Sequence, residues 1–198
     1  MGKTLLREYY ELCDGGLCQD LLTESEKNYV KEGGMILSGV CQRARTPNGN
    51  NRIYSKEILQ REVERYQSMI DQNRALGELD HPDNSVVSLE KVSHMVISLW
   101  MEGNDVYGKI KVLNTPAGNI LRALVEGGCS IGISSRGLGS VHDDQGQTVV
   151  QDDFQLICFD MVSEASTPGA YMVKENKGAL HESKEGRRSR LFSEILGS

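Results

Sequence analysis

No apolar run in this chain of 198 residues approaches the length needed to cross a membrane, and no charged, apolar and small-residue leader opens it. Neither a membrane partner nor a signal-directed export route is expected. Cationic excess is also lacking: 22 Lys and Arg stand against 28 Asp and Glu, for a net charge of −6. A protein that neutralises phosphates presents a basic face, so nucleic acid is not the expected partner. The five cysteines, Cys13, Cys18, Cys41, Cys129 and Cys158, include no Cys-x-x-Cys pair, which indicates neither a disulfide framework nor a zinc site and fits reduced thiols in a cytosol. Asp80, His81 and Asp83 lack a second histidine at helical spacing and a carboxylate cage, so no metal or other cofactor is expected. No internal repeat competes with a single domain.

The patterns that are there describe such a domain between two tails. Residues 1–33 mix a short apolar segment with a polar, charged continuation and read as an N-terminal arm or propeptide. Met35 to Cys41 has strand character, followed by turn residues through Asn50. Ser55 caps a helix in which Leu59, Val63, Tyr66 and Ile70 recur at helical spacing. Val92 to Met101 and Asp105 to Val112 read as a hairpin joined at Gly103-Asn104, and Thr115-Pro116 starts a helix that Gly127-Gly128 stops. Strand patterns return at Ile131 and from Thr148 to Val162. Beyond Lys174 the chain turns polar, then basic, and ends on Leu191, Phe192, Ile195 and Leu196, a second arm. Short strands with two or more helices make a mixed α+β fold.

Two segments carry chemistry: Gly77-Glu78-Leu79-Asp80-His81-Pro82, with a histidine in a turn, and Ser130 to Gly139, with a serine pair framed by glycines. A serine hydroxyl needs a neutral imidazole within hydrogen-bond reach and a third group to orient that imidazole. Along a strand from Ile131 to Ser135, side chains alternate, so Ile131, Ile133 and Ser135 face the core while Ser134 points the other way, toward substrate. Ser134 is then the nucleophile and Ser135 a supporting hydroxyl, with the amides around Ser135, Arg136 and Gly137 as oxyanion donors. Cys129, a rival nucleophile, follows Gly-Gly and reads as a small buried residue. His81 is the expected base, since His94 lies within an apolar strand and His142 and His181 occupy a polar turn and a tail. For the third group, Asp160 sits among apolar residues and needs a partner. That partner is His81, or an arginine, in which case Glu164 or Asp80 orients the histidine. An esterase-like reading fails on Gly132-Ile133-Ser134-Ser135-Arg136, which ends in arginine where a Gly-x-Ser-x-Gly elbow needs glycine.

These segments, with Asn50 to Tyr54, Glu102 to Gly108, Phe159-Asp160 and Pro168, resemble in order the prohead core proteases of T-even-type tailed phages, capsid maturation enzymes distantly related to the herpesvirus assemblins. The resemblance runs from about Gly34 to about Tyr171. It implies an assemblin-like β-barrel surrounded by helices, a protease domain over 34–173 with a removable C-terminal arm over 174–198, and a serine endopeptidase using His81, Ser134 and Asp160. It also implies major capsid and scaffold or core proteins as substrates, inside a prohead in the host cytoplasm, and it leaves a homo-oligomer open. Relatives favour cleavage after Glu in a Leu-or-Ile, any residue, Glu pattern, which points to self-cleavage at Glu24/Ser25 and Glu182/Ser183; Leu6-Arg7-Glu8, Leu76-Gly77-Glu78 and Leu124-Val125-Glu126 match as well. The alternative is a catalytically silent scaffold or assembly module of the same fold.

Overall fold

Local sequence signals set most element boundaries in the computed structural model, which describes residues 22–82, 85–163 and 172–174 and the backbone path of 4–10. Thr4–Tyr10 is strand β1. Thr23 starts helix α1, Glu24–Lys31, with a reciprocal capping box: its hydroxyl accepts the Glu26 N–H at 3.3 Å, and Glu26 Oε2 accepts the Thr23 N–H at 2.7 Å. Strand β2 spans Ile36–Arg43 and the short β3 Arg52–Ile53. Ser55 Oγ accepts the Ile58 N–H at 3.1 Å and opens helix α2, Lys56–Asp71, which buries Ile58, Leu59, Glu62 and Tyr66 on one stripe. Strand β4, Leu76–Glu78, leads into the loop that carries His81 and ends at a 3₁₀ turn, Leu89–Lys91.

Strands β5, Val92–Glu102, and β6, Asp105–Val112, form the expected hairpin, with Gly103 at φ 63° in its turn. Thr115 caps helix α3, Pro116–Glu126, with proline in the first turn. Strands β7, Gly132–Gly139, β8, Val141–Asp144, β9, Gln147–Val150, and β10, Gln155–Val162, follow, and Val173–Lys174 forms β11. The run expected from Thr148 to Val162 is thus divided into β9 and β10.

Three sheets result, in the orders β1-β7-β10, β11-β2-β6-β5-β4 and β3-β9-β8. The first two meet where β4 runs beside β10, through a parallel bridge between Leu79 and Met161. That junction is what brings the His81 loop to the serine strand. The core between the sheets and α2 includes Leu37, Tyr54, Leu59, Tyr66, Ile110, Ile133 and Phe159, with Tyr66 edge-on to Phe159 at 5.9 Å.

The expected mixed α+β class is observed. A closed barrel is not: among the described residues the sheets stay separate, because β4 and β10 share one isolated bridge rather than a continuous ladder. The stretch 1–33 contributes regular elements. In α1, Tyr29 donates its hydroxyl to Val112 O at 3.1 Å, and Glu26 pairs with Lys109 at 2.9 Å, so the helix is fixed to β6. Glu24 and Ser25 lie in its first turn. Glu182, Ser183 and all but the first residue of the 174–198 arm lie outside the described residues.

Candidate active site

Ser134 and Asp160 are direct partners across the antiparallel pairing of β7 with β10. Side chains of opposed residues leave the same face of a sheet, so this register delivers a hydroxyl and a carboxylate to one place. His81 arrives between them from the loop after β4. Its Nε2 lies 2.5 Å from Ser134 Oγ and its Nδ1 2.9 Å from Asp160 Oδ2. With Asp160 ionised, Nδ1 carries the proton and donates to Oδ2, which leaves Nε2 as the acceptor for the serine hydroxyl.

The alternation expected along β7 puts Ile131 and Ile133 in the core, and Ser134 on the face of Asp160 and His81. Ser134 does not stand open to solvent, however; it is completely buried, as are Ser135 and Arg136. Both edges of β7 are occupied, by β10 on one side and β1 on the other. In the second pairing Tyr9 stands opposite Ser134, Glu8 opposite Ser135, and Leu6 opposite Gly137. The amides of Ser135 to Gly137 therefore belong to a central strand, flanked by β1 and β10.

Asp160 is held from several directions. Its Oδ1 accepts the Glu78 N–H at 3.1 Å and Arg136 Nη2 at 3.0 Å, and Oδ2 lies 2.9 Å from Arg136 Nε. Burial opposes its ionisation, but the His81 hydrogen bond, the Arg136 charge and the Glu78 amide together keep the carboxyl below its ordinary range. The two partners considered for Asp160, a histidine and an arginine, are thus present at once. Arg136 turns its guanidinium to Asp160 and to Glu78 Oε1 at 3.1 Å, where it braces carboxylates. Ser135 Oγ is buried with no hydrogen-bond partner among the described residues.

The other candidates stand elsewhere. Asp80, at φ 70°, donates its amide to Met161 O at 2.7 Å and accepts the His81 N–H at 3.0 Å, so it shapes the loop and does not touch the His81 ring. His94 is buried, with Nε2 3.0 Å from Phe159 O and Nδ1 2.8 Å from Ser93 Oγ, and burial pulls it down to about 4. His142 sits on β8 beside Gln151. Cys129, expected to be buried, is exposed, because Gly128 at φ 81° turns the chain out of α3 before β7 begins. Glu164 and His181 lie outside the described residues.

Glu78 had no expected role, although it belongs to the segment that carries His81. It is completely buried, with Oε1 accepting the Ser88 N–H at 2.7 Å. Its position two residues before an Asp-His pair was the available signal. An apolar cavity of about 180 Å³ lies beside the His81 loop, lined by Leu79, Leu124, Ile131, Met161 and Val162.

Comparison with known proteins identifies the family. The family described as "Prohead core protein serine protease" matches residues 8–185. A relative described as "Prohead core protein protease", from Enterobacteria phage T4, is 35% identical over 145 residues, covering 71% of this chain and 68% of the relative. The solved structure of the bacteriophage T4 capsid assembly protease superposes with a TM-score of 0.69 at 30% identity, over 81% of this chain and 98% of that one.

Proposed function

The chain belongs to the prohead core protein serine protease family, and from that membership and the site's geometry we propose that it is a serine endopeptidase of phage capsid maturation, with Ser134 as nucleophile, His81 as base and Asp160 as the orienting acid. The observation that carries the reading is the pair of contacts on the His81 ring, 2.5 Å to Ser134 Oγ and 2.9 Å to Asp160 Oδ2. In the first half-reaction His81 Nε2 takes the hydroxyl proton as Oγ bonds to the scissile carbonyl carbon. The imidazolium then gives that proton to the departing amine as the C–N bond breaks. In the second half, water loses a proton to Nε2 and attacks the acyl carbon, and Ser134 regains its hydroxyl. β7 amides stabilise the oxyanion in both halves.

The substrates we propose are the major capsid protein and the scaffold or core proteins within the prohead, the setting named for the T4 relatives. Cleavage falls after Glu in Leu-or-Ile, any residue, Glu triplets, and the chain also cuts itself. Of the triplets in this sequence, Leu6-Arg7-Glu8 lies in β1 with Glu8 opposite Ser135 and Tyr9 opposite Ser134, as an extended substrate backbone would. Glu24/Ser25, in the capped turn of α1, has to unwind before it is cut, which makes it a later site than Glu8/Tyr9. Glu182/Ser183 completes the set by its sequence pattern.

Intact-mass measurement of the purified full chain over time, beside Ser134→Ala, tests this reading. Loss of mass in the wild type alone, at the named bonds, supports it. A wild type that stays full length and leaves a Leu-x-Glu peptide uncut overturns it.

A further inference from the structure

The loop that carries His81 runs from Glu78 to Ser88, and one carboxylate joins its two ends. Glu78 Oε1 accepts the Ser88 N–H at 2.7 Å and Arg136 Nη2 at 3.1 Å, while the Glu78 amide donates to Asp160 Oδ1 at 3.1 Å. One residue therefore touches both ends of the histidine loop, the strand of Ser134 and the carboxylate behind the imidazole. We propose that Glu78 is a positioning residue for the His81–Ser134 proton transfer, tying off the loop and supplying the second negative charge of the buried cluster. The proposal rests on the serine protease reading above.

Charge bookkeeping within the cluster carries the second half of the argument. Among the described residues, the groups that face Asp160 and His81 are Glu78 on β4, Asp80 on the loop, Arg136 on β7, Cys158 on β10, His94 on β5 and Tyr66 on α2. Asp80 lies at the partly exposed loop. Burial favours the neutral forms of Cys158, Tyr66 and His94. Among the described residues of the cluster, the fully buried charged side chains are then Glu78 and Asp160, both negative, and Arg136, positive. Their sum is one negative charge. When His81 accepts the Ser134 proton, the cluster becomes neutral. Without Glu78, Asp160 and Arg136 would cancel, and the imidazolium would be a net buried positive charge, which a low-dielectric surrounding disfavours.

Glutamine separates charge from shape at this position. Glu78 Oε2 has no hydrogen-bond partner among the described residues, so Glu78→Gln keeps the Oε1 acceptor for Ser88 and Arg136 and places its amide nitrogen where no bond is lost. The decisive measurement follows the His81 ring by NMR across pH in full-length Ser134→Ala, with and without Glu78→Gln, and so requires no turnover. The midpoint of the His81 titration moves to lower pH in the Glu78→Gln protein; an unchanged or higher midpoint overturns the proposal. In the otherwise wild-type chain, the same substitution lowers kcat on a Leu-x-Glu peptide about tenfold with KM little changed. Ser88→Pro removes the backbone donor of the loop tether, at a position whose φ of −85° lies close to the range of proline, and leaves every buried charge in place. It also lowers kcat about tenfold; wild-type kcat in this variant overturns the tether. A wild-type chain with no hydrolysis strikes the protease reading alone, since the His81 titration still decides the role of Glu78.

Discussion

Ser134 and Asp160 oppose each other across the β7–β10 ladder, and the His81 ring bridges them with one nitrogen to each. Two members of the site are therefore fixed by one pair of hydrogen-bonded strands, which hold their spacing without help from flexible loops. Only the histidine comes from a loop. That asymmetry decides where substitutions act on chemistry alone and where they also act on the fold.

Ser134→Ala abolishes hydrolysis of a Leu-x-Glu peptide, a fall of about a thousandfold or more, whereas Ser135→Ala leaves a measurable rate. Ser134 Oγ touches His81 Nε2, while Ser135 Oγ is buried without a partner among the described residues. Steady-state kinetics on the two purified variants checks this; a dead Ser135→Ala beside an active Ser134→Ala reverses the assignment.

In the proposed mechanism the Asp160 carboxylate keeps the proton of His81 on Nδ1, so that Nε2 can accept the serine proton. Asp160→Asn lowers kcat by about a thousandfold, since an amide oriented to Arg136 no longer holds the Nδ1–H tautomer. Steady-state kinetics on wild type and variant reads the effect, and an Asp160→Asn enzyme with wild-type kcat removes the acid from the mechanism.

His94 makes the fold sensitive to acid. Its folded value, about 4, lies below the ordinary 6.5, so the unfolded chain binds the proton more readily. The stabilisation is complete above about pH 6.5 and is lost as pH falls toward 4, by something of order 3 kcal/mol. Asp160, also depressed on folding, adds a loss that sets in lower, as pH falls through the ordinary carboxylate range, and continues below it. Urea melts of Ser134→Ala between pH 7 and 4 show the slope, and His94→Gln flattens the upper part of it.

Gly77→Ala unfolds the site from beneath. A Cβ at Gly77 would fall on the Phe159 carbonyl oxygen and on the His94 ring, and the first of these is backbone that has nowhere to move. The variant loses several kcal/mol of stability, about 3 or more, which a thermal melt detects, while the exposed Gly146→Ala, strained only by its φ of 85°, costs about 1.

The parts of this fold that were legible in the sequence are those written in local signals. Ser55 and Thr115 announce their helices, Gly103 its hairpin, and alternation through Ile131 and Ile133 gives the facing of Ser134. The Thr23-to-Glu26 capping box was equally local, yet the polar composition of α1 concealed it, since that helix has no buried residues and offers no apolar stripe. Non-local pairing left no trace. That residues 4–10 pair with β7, or that Arg136 lies beneath two carboxylates, follows from strand order, which side-chain patterns do not encode. Motif and family resemblance point to His81, Ser134 and Asp160 but not to Glu78, because a charged residue beside a turn ordinarily lies in water.

The pairing of β1 with β7 also sets an order in time. Residues 4–10 emerge from the ribosome long before 132–139, and a strand in the middle of a sheet requires neighbours on both sides. When Ser134 is finally synthesised, the segment that lines its strand has already been waiting, whereas Asp160 has yet to appear. The nascent chain therefore holds the strand that pairs beside Ser134 before it holds the carboxylate opposite it, so β1 is available to β7 from the moment β7 is made.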